Sequence, residues 1–128
     1  MKAKQIVLSF YAALFILFGI AGLVSPALIS SIINFELHTP TSKVEFMATY
    51  GGLFLGLGLF LLYCVKSNHN IGLICVLLTM GLMLLSRVSA AFMFGGVDLI
   101  QTIYIGGELL TTLLVSFLLY NFCIGQST

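Results

Sequence analysis

The sequence predicts an all-α integral membrane protein: a bundle of four transmembrane helices, with a short interfacial helix after the first. Three observations lead there. Of 128 residues, 60% are apolar and only 7% are charged, whereas a soluble domain carries about 25% charged residues. The apolar residues fall into four runs, roughly Ile6–Val24, Val44–Val65, Ile71–Phe94 and Gln101–Cys123. Each is close to the ~20 residues that cross ~30 Å of hydrocarbon as a helix. Most charged side chains lie at the ends of these runs, but Arg87 and Glu108 lie inside them. The four runs take up most of the chain, so residues 1–128 are expected to form a single domain.

The first run follows Lys2 and Lys4. It is longer than the ~7–15 residue core of a secretory signal, and no small-x-small cleavage site follows it, so an uncleaved helix is expected. Ser25-Pro26 then reads as a helix start, a capping hydroxyl followed by Pro at the first helical position. Over Ala27–Phe35, Leu28, Ile29, Ile32 and Ile33 fall on one face, and Ser30, Ser31 and Asn34 on the other. This amphipathic segment is too short to span and is expected to lie in the interface. Glu36, His38, Pro40 and Ser42 make a polar return, with His38 a solvated loop residue.

Lys66-Ser67-Asn68-His69-Asn70 and Gly95-Gly96-Val97-Asp98 are tight connections, which make the second and third helices, and the third and fourth, antiparallel neighbours. Lys2, Lys4 and Lys66 share one side of the membrane and Lys43 lies on the other. The positive-inside tendency therefore predicts both termini in the cytoplasm. Cys64, Cys75 and Cys123 fall near the cytoplasmic helix ends, where thiols stay reduced. None has metal-ligand spacing, so they read as packing residues. No metal, cofactor or nucleic-acid partner is expected.

Two constellations stand out. In the run TYGGLFLGLGLF, Gly52 and Gly56 form a small-xxx-small pair, expected at a helix–helix contact within or between subunits. The second is a charge cluster. Arg87 precedes the Gly95–Asp98 turn by about as many residues as Glu108 follows it. At about 1.5 Å per residue both lie roughly 10–12 Å below that turn. A guanidinium can bind a carboxylate bidentately, and charges inside a membrane are usually paired and often functional. Glu45, on the same side if the polar stripes converge, would complete a triad with one excess negative charge. Thr49, Ser86 and Tyr104 flank the cluster. Such a cluster can be a structural pair that fixes helix register, a site for a proton, cation or lipid head group, or an enzyme site. The last is disfavoured because Ser86 and Ser89 lack a nearby histidine in sequence.

From Glu45 through TYGGLFLGLGLF, with Arg87 and Glu108, the chain resembles small bacterial four-helix inner-membrane proteins grouped as a domain-of-unknown-function family near the DoxX-like proteins. The resemblance covers nearly the whole chain. It implies a bacterial inner-membrane location and a four-helix bundle, and supplies no catalytic residues. Small multidrug transporters share the length and helix count but carry a glutamate in the first helix, where this chain has no acid. Four such helices enclose little interior, and Ala12, Gly19, Gly22, Gly106 and Gly107 offer small residues for helix association. A homo-oligomer, dimer or trimer, is therefore expected. The sequence favours a non-enzymatic inner-membrane structural or interaction protein with membrane lipid as a partner. The alternative is a small transporter or channel for protons, cations or small molecules that uses Glu45, Arg87 and Glu108.

Overall fold

The computed structural model describes the backbone of residues 2–125 and the side chains as far as Tyr120; the expectation for Cys123 lies outside the described side chains. The described residues are all helical or in turns, with no strand among them. Four helices are long and apolar enough to cross a membrane: Lys2–Val24, Pro40–Lys66, His69–Phe94 and Leu99–Tyr120. The chain forms two compact units, one ending at His69 and the other beginning at Asn70.

In the first unit, α1 (Lys2–Val24) stops because Ser25 precedes a proline, which disfavours helical backbone at that position; Ser25 has φ −139° and ψ 71°. Pro26 occupies the first position of α2 (Pro26–Ile32), where its missing N–H leaves no bond unmade. The Ser25 side chain makes no capping hydrogen bond, contrary to expectation. The chain instead turns tightly through its backbone, with Leu28 N–H donating to Ser25 O at 3.1 Å.

α2 is shorter than the sequence suggests. Asn34, at φ 55°, ends it in the left-handed region, which Asn tolerates better than most residues. Phe35 N–H donates to Ser30 O at 2.8 Å and Asn34 N–H to Ser31 O at 3.3 Å, the paired bonds of a Schellman C-cap. Its faces also differ from the expected pattern. Ile29 and Ser30 are buried, while Leu28 and Ile32 are exposed. Ser30 tolerates burial because its hydroxyl bonds back to Ala27 O at 3.0 Å.

The second span is three pieces end to end: α3 (Pro40–Phe46), a π-helical segment (Met47–Leu53) and α4 (Phe54–Lys66). Thr39 opens α3 with a reciprocal capping box: its hydroxyl accepts from Ser42 N–H at 3.0 Å, and Ser42 Oγ accepts from Thr39 N–H at 3.1 Å. The π segment contains the pair Gly51-Gly52. Phe46, Tyr50 and Phe54, four residues apart along this span, keep a common face. Their rings stack with centroids 4.6 Å and 5.8 Å apart, and Phe54 meets Phe15 of α1 edge-on at 5.4 Å.

α1 and the second span meet along a seam of small residues. The buried residues of α1 are Leu8, Ala12, Phe15, Gly19 and Gly22, recurring every three or four positions. Opposite them the buried stripe runs Gly51, Gly58, Leu61 and Cys64. A Cβ on Gly58 would lie 2.7 Å from Ile16 N and 3.0 Å from Ala12 O; one on Gly19 would lie 2.5 Å from Leu55 N. One on Gly22 would lie 2.6 Å from the Tyr50 carbonyl oxygen, at the π segment. Backbone faces backbone here, the close approach that small residues permit in membranes.

That seam does not use Gly52 and Gly56, so of the two expected contacts, within or between subunits, the first is absent inside this unit. Both glycines are exposed, and nothing in the chain lies within 4 Å of where their Cβ would be. One step along a helix rotates the side chain by roughly a quarter turn or more. The stripe facing α1 begins at Gly51, so Gly52 is turned away. The small residues Ala12, Gly19 and Gly22 are likewise used inside the unit. Gly52→Leu and Gly56→Leu are therefore expected to change the thermal stability of the monomer by less than about 1 kcal/mol, since exposed sites with open space tolerate substitution. Melting in detergent, monitored by circular dichroism, checks this; a large loss would contradict the seam.

Ser67 N–H closes the end of α4 on Tyr63 O at 3.1 Å. The second unit comprises α5 (His69–Phe94, whose first residue is the last of the first unit) and α6 (Leu99–Gly125), joined by a short turn. Gly95 and Gly96 adopt φ 64° and 107°, values that side chains resist and glycine does not. Asp98 then caps α6: its Oδ1 accepts from Gln101 N–H at 2.7 Å and its backbone oxygen from Thr102 N–H at 3.0 Å.

Candidate functional site

The site is built by the spacing of residues on α6. Gln101, Tyr104 and Glu108 recur at three and four positions, so one face of the helix presents an amide, a ring and a carboxylate in succession. Arg87, seven residues before the end of α5, reaches all three. Its Nε donates to Glu108 Oε1 at 2.8 Å. Its Nη1 donates to Gln101 Oε1 at 2.6 Å. Its guanidinium carbon lies 5.0 Å from the centroid of the Tyr104 ring, within range of a cation–π interaction.

The burial of the pair is unequal. The Glu108 side chain is 8% exposed and that of Arg87 26%. The sequence points to a bidentate pair; the structure gives a single charge-assisted bond through Nε, while Nη1 goes to Gln101. Glu108 Oε2 is consequently buried with no hydrogen-bond partner. Thr112 uses its hydroxyl on its own helix, on Glu108 O at 2.7 Å. The ion pair is nearly neutral as a unit, which is what allows two charges to remain inside an apolar span.

Beside the pair, a cleft of about 380 Å³ opens between α5 and α6 near their turn. Its polar lining is Ser86, Arg87 and Gln101; its apolar walls include Ala90, Ala91, Phe94, Val97 and Ile105. The size is at the lower end of the ~300–1,000 Å³ typical of ligand pockets, and an apolar lining with few polar groups is the usual composition. Arg87 is the charged member of this lining, and Glu108 lies behind it.

The structure thus joins Arg87, Glu108 and Tyr104, with Ser86 on the adjoining wall. Glu45 and Thr49 belong to the first unit, where both are exposed. The sequence puts Gln101 on the Glu108 face without giving it a role; its spacing of seven from Glu108 was the available signal. The cleft was not legible, because it depends on how far the two helices separate near the turn. Among the described residues, no three of His, Cys, Asp and Glu gather as a metal site.

No curated protein and no solved structure matches this chain. A family model does, over residues 3–119, and it is described as a domain of unknown function, DUF4345. The match runs through both units and includes every residue of the Arg87 cluster. The chain therefore belongs to the DUF4345 family, with four helices suited to crossing a membrane and a part-buried Arg–Glu pair beside a cleft.

Proposed function

We propose that this protein is a non-enzymatic structural or interaction protein of the bacterial inner membrane that holds a membrane lipid in the α5–α6 cleft. The observation that carries this reading is the cleft itself: apolar walls beside a guanidinium fixed by Glu108, Gln101 and Tyr104 within a membrane-length helix. The protein acts as a homo-oligomer in this reading. Gly52, Gly56, Gly106 and Gly107, exposed and open to approach by another helix, support it. The exposed Leu28, Ile32 and Phe35 around α2 suit a segment lying in the interface. The bacterial setting and the kinship to DoxX-like proteins rest on the sequence resemblance.

Replacing Ala90 with Leu narrows the cleft without touching the ion pair. Lipid carried through purification, measured by mass spectrometry of extracts, should fall in this variant. Equal lipid content in wild type and variant would remove the cleft as the holding site.

The buried, unpartnered Glu108 Oε2 favours a second reading, a proton or cation transporter. Liposomes loaded with a pH-sensitive dye separate the two. The lipid-holding reading expects no proton flux above protein-free vesicles; flux that disappears in Glu108→Gln would establish the transporter.

Both termini in the cytoplasm is the orientation we propose, from Lys2, Lys4 and Lys66 against Lys43. Engineered cysteines at Thr39 and Ser67, in a background lacking the native thiols, test it in intact cells. Labelling at position 39 and protection at 67 is expected; the reverse pattern would invert the protein.

A further inference from the structure

We infer that the occupant of the cleft is an anionic phospholipid, whose phosphate takes the free edge of the Arg87 guanidinium. This deepens the lipid-holding reading and rests on it. A guanidinium carries five N–H donors. The described bonds use Nε and one hydrogen of Nη1, which leaves the other hydrogen of Nη1 and both of Nη2. Two oxygens of one phosphate match the planar spread of such donors. The cleft lining includes Arg87 and no acidic side chain, and the carboxylate that balances Arg87 is buried behind it at 8% exposure. A negatively charged head group therefore complements the wall it meets.

Depth selects a phosphate at the membrane boundary. Helix α5 has 26 residues and is about 39 Å long at about 1.5 Å per residue. That exceeds the ~30 Å hydrocarbon layer, so its ends reach the head-group zone. Gln101, which holds Nη1, lies two residues into α6, about 3 Å from its start. The guanidinium is thus drawn toward the turn end, while Glu108 anchors it from the deeper side. Ala90, Ala91, Phe94 and Ile105 leave an apolar wall for the first part of an acyl chain. A cleft of about 380 Å³ holds the head and chain start, with the remaining chain in the bilayer.

The test is native mass spectrometry of the full-length protein from phosphatidylcholine bilayers doped with phosphatidylglycerol. Both lipids offer the phosphodiester, so the discrimination comes from choline, whose extra cation is disfavoured beside the Arg87 wall. Wild type should retain phosphatidylglycerol over phosphatidylcholine by about fivefold, the scale of one partly screened charge interaction. The double variant Arg87→Gln/Glu108→Gln, which removes the charge without stranding its partner, should lose that preference. Arg87→Lys keeps the charge but loses the fork, and should retain only part of it. Wild type alone can overturn the inference, whatever the variants do: equal retention of the two lipids, preferential retention of added oleate, or displacement of phosphatidylglycerol by inorganic phosphate would each do so. If wild type shows no head-group preference yet Ala90→Leu abolishes retention, the anionic inference fails and the lipid-holding reading stands. If wild type retains no lipid and Ala90→Leu changes nothing, both fail.

Discussion

Arg87→Met is expected to lower unfolding stability by about 3–5 kcal/mol, because it strands the buried Glu108 carboxylate, whereas Glu108→Gln should cost less, because Arg87 is 26% exposed and keeps Gln101 and Tyr104. The double substitution should recover much of the Arg87→Met loss. The 2.8 Å bond between Nε and Oε1, with Glu108 8% exposed, gives the pair its weight. An exposed pair would be worth only about 0–1 kcal/mol. Reversible unfolding in mixed micelles, arranged as a double-mutant cycle, reads the coupling directly. Near-additive losses would mean that the two side chains do not interact. A stable double variant also separates structure from function. If it keeps its lipid and its cellular role, the pair only fixes register; if it is stable but loses them, the guanidinium is needed at the cleft.

The second large effect is expected at Gly58. A side chain there meets the Ile16 amide nitrogen at 2.7 Å and the Ala12 carbonyl at 3.0 Å. Backbone cannot step aside as the end of a flexible side chain can, so α1 and α4 must separate. Gly58→Leu should cost about 3 kcal/mol or more, at or beyond the upper end of overpacking penalties. Gly19→Leu, against Leu55, should behave alike. The contrast with Gly56→Leu is the informative comparison: two glycines two residues apart on one helix, one against backbone and one open. Equal melting temperatures for the Gly56 and Gly58 variants would contradict the seam.

Much of the helix layout was legible in the residues. Low charge and four long apolar runs give the four membrane-length helices, and Pro26, Gly95 and Asp98 mark ends through rules that depend only on neighbours in sequence. Pro40, read as part of a polar return, instead opens α3 behind the Thr39–Ser42 capping box. The π-helical segment Met47–Leu53 was not legible, because a switch to i→i+5 winding leaves no mark in the spacing of apolar residues. Within the first unit it is Gly51 and Gly58, not Gly52 and Gly56, that face α1. The α2 faces were misread for another reason. Ser30 looks polar but satisfies its own hydroxyl on Ala27 O, and so behaves as a small core residue. At the site, equal distances from a short turn pointed to Arg87 and Glu108. What spacing does not contain is that Gln101 takes one guanidinium nitrogen and that Glu108 receives a single bond, since both depend on the separation of two helices.

The central claim is that Arg87, held by Glu108 and Gln101, forms the polar wall of a cleft that holds lipid. A density map of the full-length protein crystallised from a lipid bilayer phase tests it most directly. The account expects elongated density in the cleft, with its polar end against the Arg87 guanidinium and its tail along Ala90, Ala91 and Ile105. A cleft closed by its own side chains or filled by a neighbouring helix, with Arg87 turned away from it, would contradict the account.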